Sequence, residues 1–269
     1  MTDPIKISVL GASGRMGRML LKAVMENTGT SLVGATEQDG HNWIGQDVGK
    51  ITLGKENGII VSNQPRDVVL KSQAIIDFTH PTVSIQYSTL AAQARIVHVI
   101  GTTGFSNSQL NKIGLAAQHA TIIRAGNMSL GVNLLTILTK SVAKALGEEY
   151  DIEILEMHHN RKIDAPSGTA LMLGEAAASG RKISLNSPAD KSIFDLKAER
   201  KKGSIGFASL RGGDVVGEHD VIFSSMGERI ILRHVATDRM IFARGAIAAA
   251  IWGVGKVPGE YDMTDVLAL

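Results

Sequence analysis

The residues with the most chemical potential fall in one run, Glu156-Met157-His158-His159-Asn160-Arg161-Lys162-Ile163-Asp164-Ala165-Pro166-Ser167-Gly168-Thr169-Ala170-Leu171. Two histidines, an arginine and a lysine crowd into five consecutive positions at the end of a strand-like stretch, before a helical one beginning near Ser167. That mixture suits a small polyanion. The cationic side chains supply charge, and the backbone N–H groups of Gly168 and Thr169 at a helix start can receive a carboxylate. Arg161 has the planar fork for bidentate pairing. Lys162 suits proton transfer, because its pKa responds to its surroundings, with His158 or a similar group balancing charge and position. A metal site is disfavoured: neighbouring strand side chains point to opposite faces, and no Asp or Glu completes a set at ligand spacing. Each piece alone is more often structural or solvated surface, so the clustering carries the reading.

A second constellation lies near the start. Gly11-Ala12-Ser13-Gly14-Arg15-Met16-Gly17 separates a β-rich run, Ile5 to Leu10, from a helical pattern over Arg15 to Glu26. Glycines there let a backbone approach a pyrophosphate closely, and the helix start offers unpaired N–H groups. The Gly-x-x-Gly-x-x-Gly spacing is a variant, and by itself it is also compatible with a tight turn. Glu37 ends the next strand-like run, Ser31 to Thr36, 20 residues after Gly17, where a dinucleotide fold places the acid that accepts from a ribose. Asp77-Phe78-Thr79-His80-Pro81 and Gly101-Thr102-Thr103-Gly104-Phe105 each follow an apolar run, as ligand-facing loops or as ordinary βα turns.

These groups need elements to carry them. Strand-like runs at Ile59 to Val61, Ala74 to Phe78, Val97 to Ile100 and Thr121 to Arg124 continue the first βαβ alternation, which predicts a parallel, doubly wound sheet. After about residue 130 the pattern changes. A long helix over Leu130 to Leu146, a strand over Asp151 to His159 and a helix over Ser167 to Ser179 precede a polar stretch, Asn186 to Lys202, expected to be mobile. Strands over Ser204 to Arg211, Gly217 to Ser225 and Arg229 to Ala236 follow, the last two joined at Met226-Gly227 as an antiparallel hairpin. The fold class is therefore α/β: an N-terminal Rossmann-like sheet plus a central α+β domain with a mixed or antiparallel sheet.

Composition narrows the function. With 28 Lys and Arg against 26 Asp and Glu, the net charge of +2 gives no basic field for nucleic acid. Among the 269 residues there is no cysteine, which removes disulfides, thiolate metal sites and thioester-forming dehydrogenase mechanisms. Met1 to Pro4 lack an export signal, and the apolar stretch Met240 to Val254 is interrupted by Arg244 and shorter than the roughly 20 residues of a membrane span. A cytoplasmic protein without membrane partners is expected.

Taken together, Gly11 to Gly17, Gly101 to Phe105, Ala125 to Asn133 and especially Glu156 to Leu171 resemble the 4-hydroxy-tetrahydrodipicolinate reductase family over nearly the whole chain. The resemblance implies a Rossmann domain over residues 1–129 and 241–269, and a central domain over 130–240 that binds substrate and builds a homotetramer. It implies NAD(P)H-dependent reduction of a cyclic dicarboxylate in diaminopimelate and lysine biosynthesis, with hydride to ring C4, proton supply and loss of water. His158 and Lys162 would be catalytic, and His159, Gly168 and Thr169 would contact the dicarboxylate. The matching cofactor positions are Gly11, Ala12, Ser13, Gly14, Arg15, Met16, Glu37, Gly101, Thr102, Thr103, Ala125, Gly126, Asn127 and Met128. Many members place Arg after the ribose-binding acid, whereas this chain has Gln38, so NADH should serve at least as well as NADPH; His41 and Lys50 are the nearby groups able to compensate. A reductase for another small imino acid need not keep the Arg161-Lys162 and Ser167-Gly168-Thr169 site, and a non-catalytic nucleotide sensor has no use for His158 and Lys162.

Overall fold

A computed structural model describes residues 3–185, 200 and 202–268. The polar stretch expected to be mobile therefore lies outside the described residues, Arg200 and Lys202 excepted. The chain divides into two compact units, residues 1–129 with 240–269, and residues 130–239.

In the first unit the described residues form strands β1 (Ile5–Leu10), β2 (Thr30–Thr36), β3 (Val61–Ser62), β4 (Ala74–Asp77), β5 (Val97–Ile100) and β6 (Thr121–Arg124). Helices α1 (Arg15–Glu26), α2 (Val48–Leu53), α3 (Pro65–Val69), α4 (Pro81–Ala94) and α5 (Asn107–Ala117) alternate with them. The long helix α6 (Leu130–Leu146) opens the second unit, which continues through β7 (Asp151–His158), α7 (Gly168–Arg181), β8 (Ile205–Arg211), β9 (Gly217–Ser225) and β10 (Glu228–Ala236). The chain then returns to the first unit as α8 (Met240–Gly253), β11 (Gly259–Tyr261) and α9 (Met263–Leu267).

The first sheet is parallel throughout, in the order β11-β6-β5-β4-β1-β2-β3. Its helices cover both faces. α1 and α8 close a core containing Ile7, Val9, Leu20, Leu21, Val24 and Ile247, while α4 and α5 close another containing Ile75, Tyr87, Ile100 and Ile113. Full burial of Leu20, Leu21 and Val24 contributes roughly 1.5–3 kcal/mol apiece, which fixes α1 and hence the loop in front of it. Register matters most for function. Leu10 stands opposite Thr36 and Asp77, Asp77 opposite Ile100, and Ile100 opposite Arg124, so five strands end in line. The order reverses between β1 and β4, and ligands of open parallel sheets bind at such a switch point.

The second sheet is mixed, in the order β10-β9-β7-β8, with β7 parallel to β8 and antiparallel to β9. One face, carrying Ile152, Ile154, Phe207, Val221 and Phe223, packs on α6 and α7. Along β7 the alternation puts Glu156 and His158 on that same face, beyond Ile154. The β9–β10 hairpin turns through Met226 and Gly227, whose φ of +85° is glycine's natural province. Among the described residues no helix is long and apolar enough to cross a membrane.

Candidate active site

In the second unit, strand pairing assembles the site around Glu156. Its neighbours across the ladders are Ser209 on β8 and His219 on β9, and His158 faces Arg211. Arg211 makes a bidentate pair with Glu156, each N–H···O contact being 2.8 Å, and donates to the Asp164 carbonyl at 2.7 Å. His158 Nδ1 lies 2.6 Å from Glu156 Oε2, and Ser167 N–H donates to Oε1 at 3.2 Å. One carboxylate thus fixes the imidazole, the arginine and the residue that caps α7. Burial alone would raise the Glu156 pKa, but bonds from His158, Arg211 and Ser209 outweigh it and hold the group at about 2.

With Nδ1 committed to the carboxylate, His158 presents Nε2 as its working nitrogen. Gly217 leaves room there, since a Cβ at that position would come within 3.0 Å of Nε2. His219 stacks edge-on, ring centroids 5.1 Å apart, and its Nε2 lies 3.0 Å from Ser167 Oγ, which accepts from Ala170 N–H as the helix cap. Burial, aided by the charge of His158, pushes His219 down to about 4, so it is neutral at pH 7. Lys162 Nζ reaches both oxygens of Asp164 at 2.7 Å. Partial burial and then the charges of Arg239, Arg161, His158 and Lys162 lower the pKa of His159. Its Nδ1 is a buried atom with no hydrogen-bond partner among the described residues. Arg161 and Gly168 are exposed, and a Cβ on Gly168 would meet nothing within 4 Å, so the protein's own packing does not require glycine there.

The first unit gathers the other constellation at the strand ends. Gly11 has φ +67°, and a Cβ on Gly17 would stand 2.1 Å from the Gly11 carbonyl oxygen, so this glycine lets α1 close on the loop. No side chain caps the first turn of α1. Ser13 N–H donates to Glu37 Oε2 at 2.8 Å and Gln38 N–H to Oε1 at 3.1 Å. Burial works against ionisation of Glu37, but these bonds prevail and keep its pKa below the usual carboxylate value. Glu37 opens onto a cleft of about 370 Å³, also lined by Gly11, Gln38, Asp39, Asn63 and Tyr87. Asn63 Nδ2 donates to Asp39 Oδ1 at 2.8 Å. Among the described residues no lysine or arginine lines this cleft; Lys50 pairs instead with Glu56, and His41 uses its Nδ1 to accept from Trp43 N–H. A glycine cradle that a Cβ would fill, an uncapped helix start and an acid at the end of β2 fit a dinucleotide.

Several predicted residues serve the fold as well. Ala12 and Met128 are core residues, so contacts from them to a ligand would be through the backbone. A Cβ on Gly101 would strike the Phe78 ring at 2.3 Å, and Thr102 turns its hydroxyl inward to Asp77. Thr103, Gly126 and Arg15 are exposed, the last lining a groove with Arg18, Lys22 and Trp43. Met16 and Ala125 pack against the core, and Asn127 Oδ1 accepts from Ser129 N–H. Among the described residues no group of three His, Asp or Glu side chains is arranged to hold a metal ion. Sequence reading missed Arg211, His219, Arg239, Asp39 and the pairing of Asp164 with Lys162. The available signals were an arginine and a histidine flanking the glycine-rich turn Arg211-Gly212-Gly213-Asp214-Val215-Val216-Gly217-Glu218-His219.

Comparison with known proteins follows the same division. Family models described as dihydrodipicolinate reductase, N-terminus, and dihydrodipicolinate reductase, C-terminus, match residues 5–128 and 131–267. The chain is 56% identical to 4-hydroxy-tetrahydrodipicolinate reductase of Ruegeria pomeroyi over all of both chains. It is 53% identical to that of Brucella abortus, covering 97% of this chain and 98% of the relative. Among solved structures it resembles the dipicolinate-bound dihydrodipicolinate reductase from Paenisporosarcina sp. TG-14, with a TM-score of 0.79, 25% identity and coverage of 97% and 98%. An amine dehydrogenase from Mycobacterium smegmatis, at 12% identity and a TM-score of 0.66, shares the fold.

Proposed function

The chain belongs to the dihydrodipicolinate reductase family, and from that premise we propose how its residues carry out the reaction. It is an oxidoreductase, using a pyridine nucleotide to reduce 4-hydroxy-tetrahydrodipicolinate to tetrahydrodipicolinate in diaminopimelate and lysine biosynthesis. A bound nicotinamide supplies the hydride, which ends on C4 of the substrate ring. Gly11 to Met16 hold the pyrophosphate, Glu37 the ribose, and Gly101 to Thr103 with Ala125 to Met128 the nicotinamide end.

In the second unit His159, Arg161 and the N–H groups of Gly168 and Thr169 receive the substrate carboxylates. The Nδ1 of His159, which has no hydrogen-bond partner among the described residues and stands in the field of Arg239, Arg161 and Lys162, is the observation that carries this reading. Glu156 holds His158 with Nε2 outward, where it gives or takes a proton. Lys162, held by both oxygens of Asp164, is the proton donor to the substrate. Hydride and proton enter, and the 4-hydroxyl leaves as water.

The Glu37 cleft supports use of NADH at least as readily as NADPH. Beside Gln38 it carries a second carboxylate, Asp39, and among the described residues no lysine or arginine to meet a 2′-phosphate, His80 being the one basic side chain in its lining. The sheet face opposite α6 and α7 exposes Ile231, Val235 and Leu210 beside the half-buried Leu155 and Met157, which supports burial against further copies in a homotetramer. Sedimentation at four times the chain mass is the expected result, and a monomer would contradict it. The same proposal places the enzyme in the cytoplasm, without nucleic-acid or membrane partners.

The test is a coupled assay in which a synthase generates the unstable substrate from pyruvate and aspartate semialdehyde while NADH and NADPH absorbance are followed separately. Synthase-dependent oxidation is expected. Nucleotide binding without oxidation of either cofactor would refute the substrate assignment.

A further inference from the structure

Asp77, the last residue of β4, is wholly buried at the switch point, beneath the loops assigned to the cofactor. A buried carboxylate is costly unless several donors meet it, and apolar replacements at such sites are often as stable, so stability alone explains it poorly. Its contacts are more informative. Oδ1 accepts from Thr79 N–H at 2.8 Å, from Thr79 Oγ1 at 2.6 Å and from Thr102 Oγ1 at 3.4 Å. The Asp77 carbonyl accepts from Gly101 N–H at 2.8 Å.

Behind the carboxylate, His98 Nε2 stands 3.4 Å from Oδ2. His98 is also fully buried; it lies opposite Ile75, diagonal to Asp77, and its Nδ1 is 3.1 Å from Ser88 Oγ on α4. Ser88 in turn donates to the Ser84 carbonyl at 2.8 Å. The histidine is thus tied to the helix and stands beside the Oδ2 edge of the carboxylate, while Thr79 and Thr102 donate to Oδ1. Thr79 extends the chain of contacts, because its Cγ2 sits where a Cβ on Gly11 would come within 2.9 Å. Loops after β4 and β5 therefore meet on the Asp77 side chain, which lines no part of the Glu37 cleft itself, and the loop after β1 closes on Thr79.

We propose that Asp77 is a positioning residue for the dinucleotide, its carboxylate fixing Thr79 and Thr102 so that three loops present one preformed surface to the cofactor. This rests on the dinucleotide reading above. The test measures the NADH dissociation constant by fluorescence titration, with amide exchange over residues 78–80 and 101–104, for the intact chain and for Asp77→Asn and Asp77→Ala. Asp77→Asn keeps a neutral, weaker acceptor and is expected to bind about 3- to 10-fold less tightly. Asp77→Ala is expected to lose at least about tenfold. Exchange over both loops should quicken in the same order, while dipicolinate affinity, a property of the second unit, stays unchanged. Wild-type NADH affinity in both folded variants would overturn the proposal, and if Asp77→Ala does not fold, Asp77→Asn decides alone. Failure of the unaltered protein to bind either nucleotide would instead overturn the dinucleotide reading, and this inference with it.

Discussion

Replacing Arg211 by Met removes two 2.8 Å bonds to Glu156 and the 2.7 Å bond to the Asp164 carbonyl, while roughly preserving side-chain volume. Glu156 is almost fully buried and would be left with His158, the Ser167 N–H and Ser209, none of which supplies the charge and paired N–H groups of the guanidinium. Breaking a buried pair from one side costs about 3–5 kcal/mol, because the other charge stays behind. Turnover should fall as well. Arg211 ties the strand end that carries His158 to the loop that carries Lys162, and a displacement of about 1 Å is enough to cost roughly a hundredfold. Urea unfolding should be followed by far-ultraviolet circular dichroism, since Trp43 and Trp252 both lie in the first unit. The double variant Arg211→Met with Glu156→Gln separates the two effects: stability should partly return as the stranded charge disappears, but turnover should not. An Arg211→Met protein within 1 kcal/mol of the parent, about fivefold in equilibrium constant, and fully active would refute this account of the site.

Acid should weaken the second unit in two stages. His219 falls from an ordinary value near 6.5 unfolded to about 4 folded, so the unfolded chain binds the extra proton between those limits. Its contribution is complete above about pH 6.5 and is lost towards pH 4, at most about 3 kcal/mol. Glu156, lowered to about 2, adds stability above its ordinary 4.5 that disappears as pH falls further. The urea midpoint plotted against pH should show the first stage, and His219→Asn should flatten it. Gln38→Arg combined with Asp39→Asn should raise the NADPH-to-NADH ratio of kcat/KM at least about tenfold by supplying a cation and removing an anion; an unchanged ratio would place the 2′-phosphate elsewhere. Gly17→Ala puts a methyl 2.1 Å from the Gly11 carbonyl and should cost about 1–3 kcal/mol together with most NADH affinity, read by thermal melting and fluorescence titration.

Local pattern made much of this legible. β1, α1, β5, β6, α6 and β9 begin and end where hydrophobic periodicity and glycine punctuation put them. Short elements escaped: β11 has three residues and gains its place only by pairing with β6, which no local signal announces. The site divides in the same way. His158, His159, Arg161 and Lys162 are contiguous and visible, whereas Arg211 and His219 reach Glu156 through the register of β8 and β9, set by packing Ile205 and Phe223 against Ile152. The Lys162–Asp164 pair spans two residues, yet only the turn between β7 and α7 brings their charged ends together. Asp77 was visible as a strand-end residue, but its partnership with His98 depends on a diagonal between adjacent strands.

The most direct test of the proposed chemistry is Lys162→Ala, assayed for turnover in the synthase-coupled reaction and for NADH affinity by fluorescence titration. Loss of at least about a hundredfold in kcat, with the NADH dissociation constant unchanged, is the result expected of a proton donor housed apart from the nucleotide. Turnover retained in this variant would contradict the role given to Lys162 and move proton supply to His158 or to water.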